Sequence, residues 1–267
     1  MSKLGQGTYG QVYKGKLHHS SVAIKVLAEE GIGDRDEFQK NLELLSRLHH
    51  PHLVMLIGAC PDKPCLIYEY MANGSLEERL YCQGGTPPLP WFTRFRICHE
   101  VASAHLFLHS RTQPIIHRDL KLRNVLLDHG FVSKITDIRV SDFVPINNAA
   151  NATIVSDIMF TETLAFMDPH HLRTGIVSCE ADVYSLGILI LQLLTGRPPL
   201  GIAYVVEEAL EREQFYEMLD QSAGEWPFAE AKAVASLGLR CMEPKPKDRP
   251  KLESGVLPVL ESVRRPL

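Results

Sequence analysis

The sequence predicts an α+β protein in two parts, a small sheet with one helix followed by a larger, mainly helical part. Short runs rich in β-branched and aromatic residues occupy residues 1–68 and predict strands. From about residue 75, apolar residues recur at helical spacing instead. The pattern changes once, near the polar turn at 72–75, and 267 residues suffice for one domain of two lobes or for two small domains.

In the first part, strands are expected at the runs QVYKGKL, SVAIKVL, HLVMLIG and CLIYEY. The stretch DEFQKNLELLSRL, between the second and third runs, predicts the helix because its apolar residues recur at helical spacing. The run LGILILQLL at 186–194 is apolar on all sides and predicts a helix buried at the centre of the second part. The strongest helical patterns in that part lie at 91–110, 180–195, 203–219 and 228–242.

Composition and charge exclude several classes of function. The apolar fraction of 45% and the charged fraction of 22% are ordinary for a globular protein. The formal net charge of -4 comes without a long run of Lys or Arg, so we expect no nucleic-acid role. The start MSKLGQGTYG lacks the apolar region of a secretory signal, and no apolar run is long enough to cross a bilayer. We therefore expect a cytoplasmic protein without membrane insertion.

The cysteines and paired histidines do not predict a metal centre. The six cysteines are scattered, with no CxxC pair, and are expected to be reduced and mostly buried. Histidine pairs occur at 18–19, 49–50 and 170–171, but adjacent side chains point to opposite faces and no third ligand is placed nearby.

A glycine-rich segment, GQGTYGQV, opens the chain. Glycines let backbone amides approach phosphate oxygens without a Cβ in the way. By itself the spacing also fits a dinucleotide-binding turn or a glycine-rich hairpin. No helix with a later ribose-binding acid follows, and the chain instead enters a second β-like run, Val-Ala-Ile-Lys. This favours a loop over the phosphates of ATP that contains Gly5, Gln6, Gly7, Thr8, Tyr9, Gly10 and Val12.

Lys25 ends the Val-Ala-Ile-Lys run and is expected to face inward. A lone ammonium group in an apolar strand is costly to bury, so Lys25 must meet an anion. Alone it could snorkel to solvent from an edge strand. Beside the glycine-rich segment, an ATP phosphate is the better partner.

The strongest signal is the segment IHRDLKLRNVLLD at 116–128, followed by KITD at 134–137. Asp119, Asn124 and Asp137 could be unrelated surface residues. Together with the glycine-rich segment and Val-Ala-Ile-Lys, however, they resemble the eukaryotic protein kinase family, whose catalytic loop has the form HRDLKxxN. The resemblance implies a bilobal fold with a small, mainly antiparallel β lobe at 1–68, a hinge at 69–75, a larger α-helical lobe at 76–267 and an activation segment at 137–169.

The family's chemistry implies a role for each of these residues, with ATP and Mg²⁺ as cofactors. Phosphoryl transfer needs positioning and charge neutralisation more than covalent participation by the protein. Asp119 would orient the attacking hydroxyl, and Lys25 would hold the α- and β-phosphates. Asn124 and Asp137 would hold Mg²⁺, and Lys121 would neutralise the γ-phosphate.

The segment CLIYEYMANGSL at 65–76 resembles the gatekeeper and hinge of interleukin-1-receptor-associated, Pelle-like and plant receptor-like kinases. Tyr68 would be the gatekeeper, and the Glu69 carbonyl and the Met71 amide would hold adenine. Three apolar side chains would sandwich the ring, namely Val12, Ala23 and Leu126.

Longer phrases, among them MDPHHLRTG and ADVYSLGILILQLLTGRPPLG, are similar to the kinase domain of plant U-box ubiquitin ligases over nearly the whole chain. The resemblance implies a plant protein whose partners are a protein substrate and either ubiquitination machinery or a receptor complex. The U-box itself is missing from the sequence, so we expect no ubiquitin transfer by this chain alone. The short start also fits a fragment of a larger ligase or a decaying gene copy.

Two departures from the family pattern lie close to the proposed phosphate site. Asn41 stands where a helix glutamate normally pairs with Lys25, and Glu37, one turn earlier on the same face, could replace it. Arg139 replaces the glycine of the Asp-Phe-Gly motif. Its charge would either repel the metal or replace part of the metal's charge on the phosphates.

A third departure is His170, which replaces the glutamate that pairs with Arg249 in the family. Either the activation segment docks loosely or Arg249 finds another acceptor. Thr163 occupies the position of the family's substrate-loop threonine, and Thr161 is either a phosphosite or a solvated hydroxyl.

The motif residues together predict a protein Ser/Thr kinase domain that binds Mg·ATP and has weak or conditional activity. Lys121, two residues after Asp119, resembles the Ser/Thr form, although Arg123 is more frequent in tyrosine kinases. The three departures favour a rival hypothesis, a pseudokinase that serves as a binding or regulatory module.

Overall fold

The computed structural model of the chain describes residues 2–7, 10–27, 35–60, 65–138 and 165–264. Its first part is a five-stranded antiparallel sheet with one helix, and its second part is mainly helical, which confirms the predicted bilobal α+β class. The strands of the sheet are β1 (Ser2–Gly7), β2 (Gly10–Leu17), β3 (Ser20–Leu27), β4 (Leu56–Cys60) and β5 (Cys65–Glu69). Across the sheet they lie in the order β1-β2-β3-β5-β4.

The register of β3 gathers several predicted site residues on one face of the sheet. Lys25 lies opposite Val12 on β2 and opposite Leu66 on β5, and Ala23 lies opposite Tyr68. Opposite residues and alternate residues along a strand share a face. The side chains of Val12, Ala23, Lys25 and Tyr68 therefore belong to the same side of the sheet.

The run HLVMLIG, predicted as one strand, makes two separate pairings. β4 begins only at Leu56, whereas Leu53 forms a parallel bridge to Ile135. The Val54 amide donates to the Ile135 carbonyl at 3.0 Å, and the Ile135 amide donates to the His52 carbonyl at 3.0 Å. The first half of the run thus ties the two parts together, and helix α1 (Arg35–Ser46) precedes it as predicted.

The second part is built around one buried helix. The run at 186–194 is buried along its whole length, as predicted, within α5 (Cys179–Thr195). Among the described residues, no helix is both long and apolar enough to cross a membrane. The other helices are α2 (Leu76–Leu80), α3 (Trp91–His109), α4 (Pro169–Thr174), α6 (Ile202–Glu211), α7 (Phe215–Met218), α8 (Phe228–Cys241) and α9 (Leu257–Val263). A small two-stranded sheet pairs β6 (Val125–Leu127) with β7 (Ser133–Ile135).

The single helix predicted at 203–219 is wrong, because the chain forms two helices there, α6 and α7. Glu213 adopts a left-handed backbone with φ of 57°, and the Gln214 amide turns back to donate to the Ala209 carbonyl at 2.8 Å. The break lets Phe215 enter the core, where it is 1% exposed. The helices predicted at 91–110, 180–195 and 228–242 are confirmed.

The expectation of mostly buried cysteines is wrong. All six are free thiols, but only Cys98 and Cys241 are buried. The other four are partly exposed. Two of these lie opposite each other in the sheet: Cys60 is the last residue of β4, and Cys65 is the first residue of β5.

Candidate active site

Lys25 and Asp137 meet between the two parts of the molecule. Lys25 lies on β3, and Asp137 follows β7 by two residues. The Lys25 ammonium donates to Asp137 Oδ1 at 2.5 Å, and the lysine side chain is 9% exposed. Lys25 thus faces inward to an anion, as expected, and does not snorkel to solvent.

Asp137 has a left-handed backbone, with φ of 61°. A residue with a Cβ typically loses about 1–2 kcal/mol in this conformation, so the surrounding structure must hold it there. The neighbouring Thr136 is fixed on both sides: its amide donates to the Asn124 carbonyl at 2.9 Å, and its carbonyl accepts from His117 Nε2 at 2.8 Å. These bonds keep the Asp137 carboxylate directed at Lys25.

Asp119, Lys121 and Asn124 form one cluster on the loop before β6. Lys121 Nζ lies 2.9 Å from Asp119 Oδ1. Asn124 Nδ2 donates to Asp119 Oδ2 at 2.9 Å and to the Asp119 carbonyl at 2.8 Å. Both carboxylate oxygens of Asp119 are therefore engaged, and this buried carboxylate has a fixed orientation.

Asp182 on α5 holds the same loop from the protein interior. Its carboxylate accepts from the amides of His117 at 2.8 Å and Arg118 at 2.9 Å, and from His109 Nε2 at 2.8 Å. Burial alone would raise the pKa of Asp182, but the hydrogen bond from His109 and the nearby histidines hold it below its ordinary value. Against the lowering effect of burial, hydrogen bonds with Asp182 and Cys179 raise the pKa of His109 to about 9.

The residues predicted to surround adenine come from the inner face of the five-stranded sheet, from the segment just after β5 and from β6 of the second lobe. Tyr68 lines a small pocket with apolar residues of α1, β4 and the segment after β7, and burial followed by the charge of Asp137 raises its pKa. Met71 is buried, and Leu126 on β6 bridges to Ser75 at the start of α2. The hydrogen bonds to adenine from the Glu69 carbonyl and the Met71 amide stay a prediction.

The glycine-rich segment forms the hairpin between β1 and β2, and Gly7 lies opposite Gly10. A Cβ at Gly10 would clash with the Val26 carbonyl on β3, so packing within the sheet requires glycine there. A Cβ at Gly5 would meet no atom within 4 Å. Gln6 lies opposite Gln11, while the predicted residues Thr8 and Tyr9 lie outside the described residues.

All the strands, loops and helices that carry the candidate site residues lie within a stretch that matches a single family of domains. Residues 1–257 match the family model described as Protein tyrosine and serine/threonine kinase. The chain belongs to the protein kinase family.

This kinase domain is similar to plant proteins that are named for a U-box. It is 49% identical over 265 residues to U-box domain-containing protein 52 of Arabidopsis thaliana, covering 98% of the chain and 31% of that protein. It is 47% identical over 266 residues to U-box domain-containing protein 35 of the same plant, covering 98% and 32%. Against U-box domain-containing protein 70 of Oryza sativa subsp. japonica, the identity is 41% over 263 residues, covering 98% and 33%. The chain spans about a third of the length of these relatives.

One ion pair of the kinase domain was missed by the sequence interpretation, which gave Glu69 only a backbone role. Lys134 Nζ on β7 donates to both carboxylate oxygens of Glu69 at 2.8 Å. The Met55 amide also donates to Glu69 Oε1 at 2.8 Å. The charge of Lys134 between two buried neighbours on β7 was the available signal, because a largely buried lysine needs an anion nearby. The end of β5 is thereby fastened to the small sheet of the second lobe.

Arg249 finds another acceptor, the second of the two outcomes expected from the His170 replacement. Its guanidinium donates to both oxygens of Asp168, at 2.8 and 2.6 Å, and both side chains are at most 1% exposed. It also donates to the carbonyls of Glu180 and Glu243. Burial would raise the pKa of Asp168, but the bonds from Arg249 and the His170 amide lower it. Asp168, two residues before His170, thus supplies the missing anion.

The other two departures, Arg139 and the side chain of Asn41 on α1, lie outside the described residues, and so do Thr161, Thr163 and the side chain of Glu37 on α1. Glu43 on the same helix is exposed and pairs with Arg47 one turn later.

Proposed function

We propose that this kinase domain binds Mg·ATP and transfers the γ-phosphate to the hydroxyl of a protein serine or threonine. The main support is that two hydrogen-bonded pairs lie near each other. Lys25 bonds to Asp137, and Asn124 bonds to Asp119. They are linked through the 2.9 Å hydrogen bond from the Thr136 amide to the Asn124 carbonyl. One pair brings an ammonium from the sheet, and the other brings a carboxylate from the helical lobe.

The donors present fit the cofactors that the family uses. Mg²⁺ prefers oxygen ligands and is usually held by one or two carboxylates together with phosphate oxygens. Asp137 offers a carboxylate, and Asn124 bonds to Asp119 through its amide nitrogen, which leaves its amide oxygen as a ligand. The open space beside Gly5 suits the approach of a phosphate group to the backbone.

Each side chain then has a separate task. Lys25 would pair with the α- and β-phosphates, and Lys121 would pair with the γ-phosphate. Asp119, oriented by Asn124, would accept a hydrogen bond from the substrate hydroxyl and take its proton. Bound Mg²⁺ would neutralise charge on the phosphate oxygens.

The specificity for adenine would come from the segment after β5. The Glu69 carbonyl and the Met71 amide would bond to the edge of the ring, and its faces would contact three side chains, Val12, Ala23 and Leu126. Tyr68, a large residue on the inner face, would limit the depth of the pocket. The spacing of Lys121 after Asp119 supports serine and threonine as acceptors.

The transfer reaction can be tested with radiolabelled ATP and a generic protein substrate. We expect Asp119→Asn to reduce incorporation by about 100-fold or more, because the carboxylate that orients the hydroxyl is lost. Asp248→Asn is the matched control, since Asp248 is exposed and lies in a loop before Arg249. Equal incorporation by the wild type and Asp119→Asn would refute the proposed activity.

A pseudokinase with a binding or regulatory role is the second candidate. It is favoured by the Lys25–Asp137 contact itself, because this contact engages the carboxylate that is proposed to hold the metal. In either case we propose a protein substrate or partner connected with ubiquitination or with a receptor complex, because the relatives are U-box domain-containing proteins.

Thermal unfolding with and without nucleotide separates the two candidates. An upward shift with ATP that needs Mg²⁺ and is lost in Lys25→Ala would support the kinase, because ligands stabilise the folded state they bind. Lys16→Ala, at an exposed position on β2, should keep the shift. No shift at any ATP concentration would support the pseudokinase without nucleotide binding.

A further inference from the structure

The hairpin of β4 and β5 places two cysteines opposite each other. Cys60 is the last residue of β4, Cys65 is the first residue of β5, and the two are Cα partners in the register. Side chains of directly opposite residues project from the same face of a sheet. The two thiols are therefore neighbours, although four residues separate them along the chain.

The distance between opposite residues suits a disulfide. In antiparallel strands, the Cα atoms of opposite residues are about 4.5 Å or about 5.5 Å apart, depending on the kind of pair. Disulfides join residues whose Cα atoms are about 4.4–6.8 Å apart. Either kind of pair lies within this range, and no rearrangement of the sheet is needed to bring the sulfurs together.

The pair is also accessible to reagents. Both cysteines are partly exposed free thiols, whereas Cys98 and Cys241 are buried. On its other neighbouring strand, Cys65 lies opposite Val26 of β3, a residue that is 44% exposed. Cys60, Cys65 and Val26 therefore lie on the face of the sheet opposite to Lys25. Lys25 is the residue next to Val26, and the side chains of successive residues in a strand point to opposite faces.

We propose that Cys60 and Cys65 form a reversible disulfide when the protein reacts with hydrogen peroxide. One thiol is first oxidised to a sulfenic acid, and the peroxide is reduced and releases one molecule of water. The other thiol, as its thiolate, attacks that sulfur, the S–S bond forms, and the departing hydroxide takes up the thiol proton as a second water. Two thiols and one peroxide thus give one disulfide and two waters.

The disulfide would join the last residue of β4 to the first residue of β5. The candidate adenine site lies at the opposite end of β5, at Tyr68 and Glu69. β5 runs from Cys65 through Tyr68 to Glu69, which Lys134 holds from the other lobe. A disulfide would therefore leave β5 anchored at both ends.

Peptide mapping tests the proposal directly, because Asp62 lies between the two cysteines. The full chain is treated with hydrogen peroxide, blocked with N-ethylmaleimide, unfolded, and cut without reduction by a protease that cleaves before aspartate together with trypsin. Trypsin is needed because the fragment from Asp62 to the next aspartate, Asp119, also contains Cys82 and Cys98, and cleavage after Arg79 separates Cys65 from both. We expect the peptide ending at Pro61 to remain joined to the one starting at Asp62, and dithiothreitol to separate them. Two separate peptides, both alkylated or both over-oxidised, would overturn the proposal.

Two controls show whether the fold is responsible. The double variant Cys82→Ser/Cys179→Ser removes the other partly exposed thiols and should form the bond at the wild-type yield. Bonds from Cys60 or Cys65 mainly to Cys82 or Cys179 would contradict the assignment. The bond should also form faster in the folded protein than in urea, and equal rates would show that the register of β4 and β5 contributes nothing.

Discussion

Asp168 makes two sets of contacts that fix the segment leading into α4. It accepts from the His170 amide at 2.9 Å, which caps the helix, and it forms the two-bond ion pair with Arg249. A guanidinium and a carboxylate in this arrangement satisfy each other's charge and geometry at once. Because both are buried, neither can turn to water if the other is removed.

We therefore expect Asp168→Asn to lower the free energy of unfolding by about 3 kcal/mol or more, because it leaves the Arg249 charge buried without its anion. Urea unfolding measures the change. His170→Ala serves as the control and should change it by less than about 0.5 kcal/mol. A larger loss in His170→Ala than in Asp168→Asn would show that His170 holds the segment instead.

The bond between His109 and Asp182 should make stability depend on pH. The pKa of His109 is about 9 in the folded protein, against an ordinary value of 6.5. Since the folded value is the higher one, the stabilisation is complete below pH 6.5 and is lost as pH rises through 9. The side chain is 10% exposed, so the loss could reach about 3 kcal/mol at most.

Urea unfolding at pH 6 and at pH 9.5 would measure this loss. His109→Gln keeps an amide donor but does not titrate, so it should remove most of the difference between the two conditions. An equal difference in the wild type and in His109→Gln would assign the pH dependence to other groups.

At the scale of elements, Glu69 and Lys134 join β5 of the sheet to β7 of the helical lobe. The lysine and glutamate side chains are 17% and 22% exposed, so solvent screens the pair only in part. The Met55 amide adds a third bond to the same carboxylate. The three groups hold the end of β5, the segment before β4 and the strand that precedes Asp137.

Lys134→Met keeps the length of the side chain but removes the charge, and we expect it to lower the free energy of unfolding by about 1–2 kcal/mol. Hydrogen exchange should also become faster at the Met55 amide. The control is Arg212→Met, which removes the solvent-exposed pair between Arg212, directly after α6, and Glu208 in α6, and which should lower the free energy by less than about 0.5 kcal/mol. Equal losses in both variants would mean that the bond between lobes adds no stability.

At the scale of the whole molecule, the two lobes differ in how they are stabilised. The helical lobe packs around α5, whose apolar run at 186–194 has no exposed residue. The sheet is thinner, and both β2 and β4 have exposed or partly exposed residues along most of their length. Local opening is easier where few apolar contacts must break.

We expect hydrogen exchange of the amides at 186–194 to require global unfolding, and the amides of β4 and β5 to exchange faster through local opening. Adding Mg·ATP should slow exchange in the sheet more than in α5, because the proposed site uses the inner face of the sheet. Exchange as slow in β4 as in α5 would contradict this difference between the lobes.

The resemblance of IHRDLKLRNVLLD to the kinase catalytic loop predicted a site at Asp119, Lys121 and Asn124, and the three side chains do contact one another on one short loop. Lys25 and Asp137 are 112 residues apart, and only the resemblance of both motifs to one family placed them in one site. The break between α6 and α7 was not predicted from periodicity, because the spacing of apolar residues does not record that a single residue, Glu213, adopts a left-handed backbone.

The sequence by itself determined the class of the fold, the positions of most helices and the loop that carries Asp119, Lys121 and Asn124. These depend on periodicity and spacing within continuous stretches of chain, where neighbours in sequence are neighbours in space. The tertiary structure alone decided the partners of the buried charges, such as Asp168 for Arg249, 81 residues away, and the meeting of Glu69 with Lys134. A buried charge pairs with whichever opposite charge the folded chain brings within hydrogen-bond distance, and no local pattern records that distance.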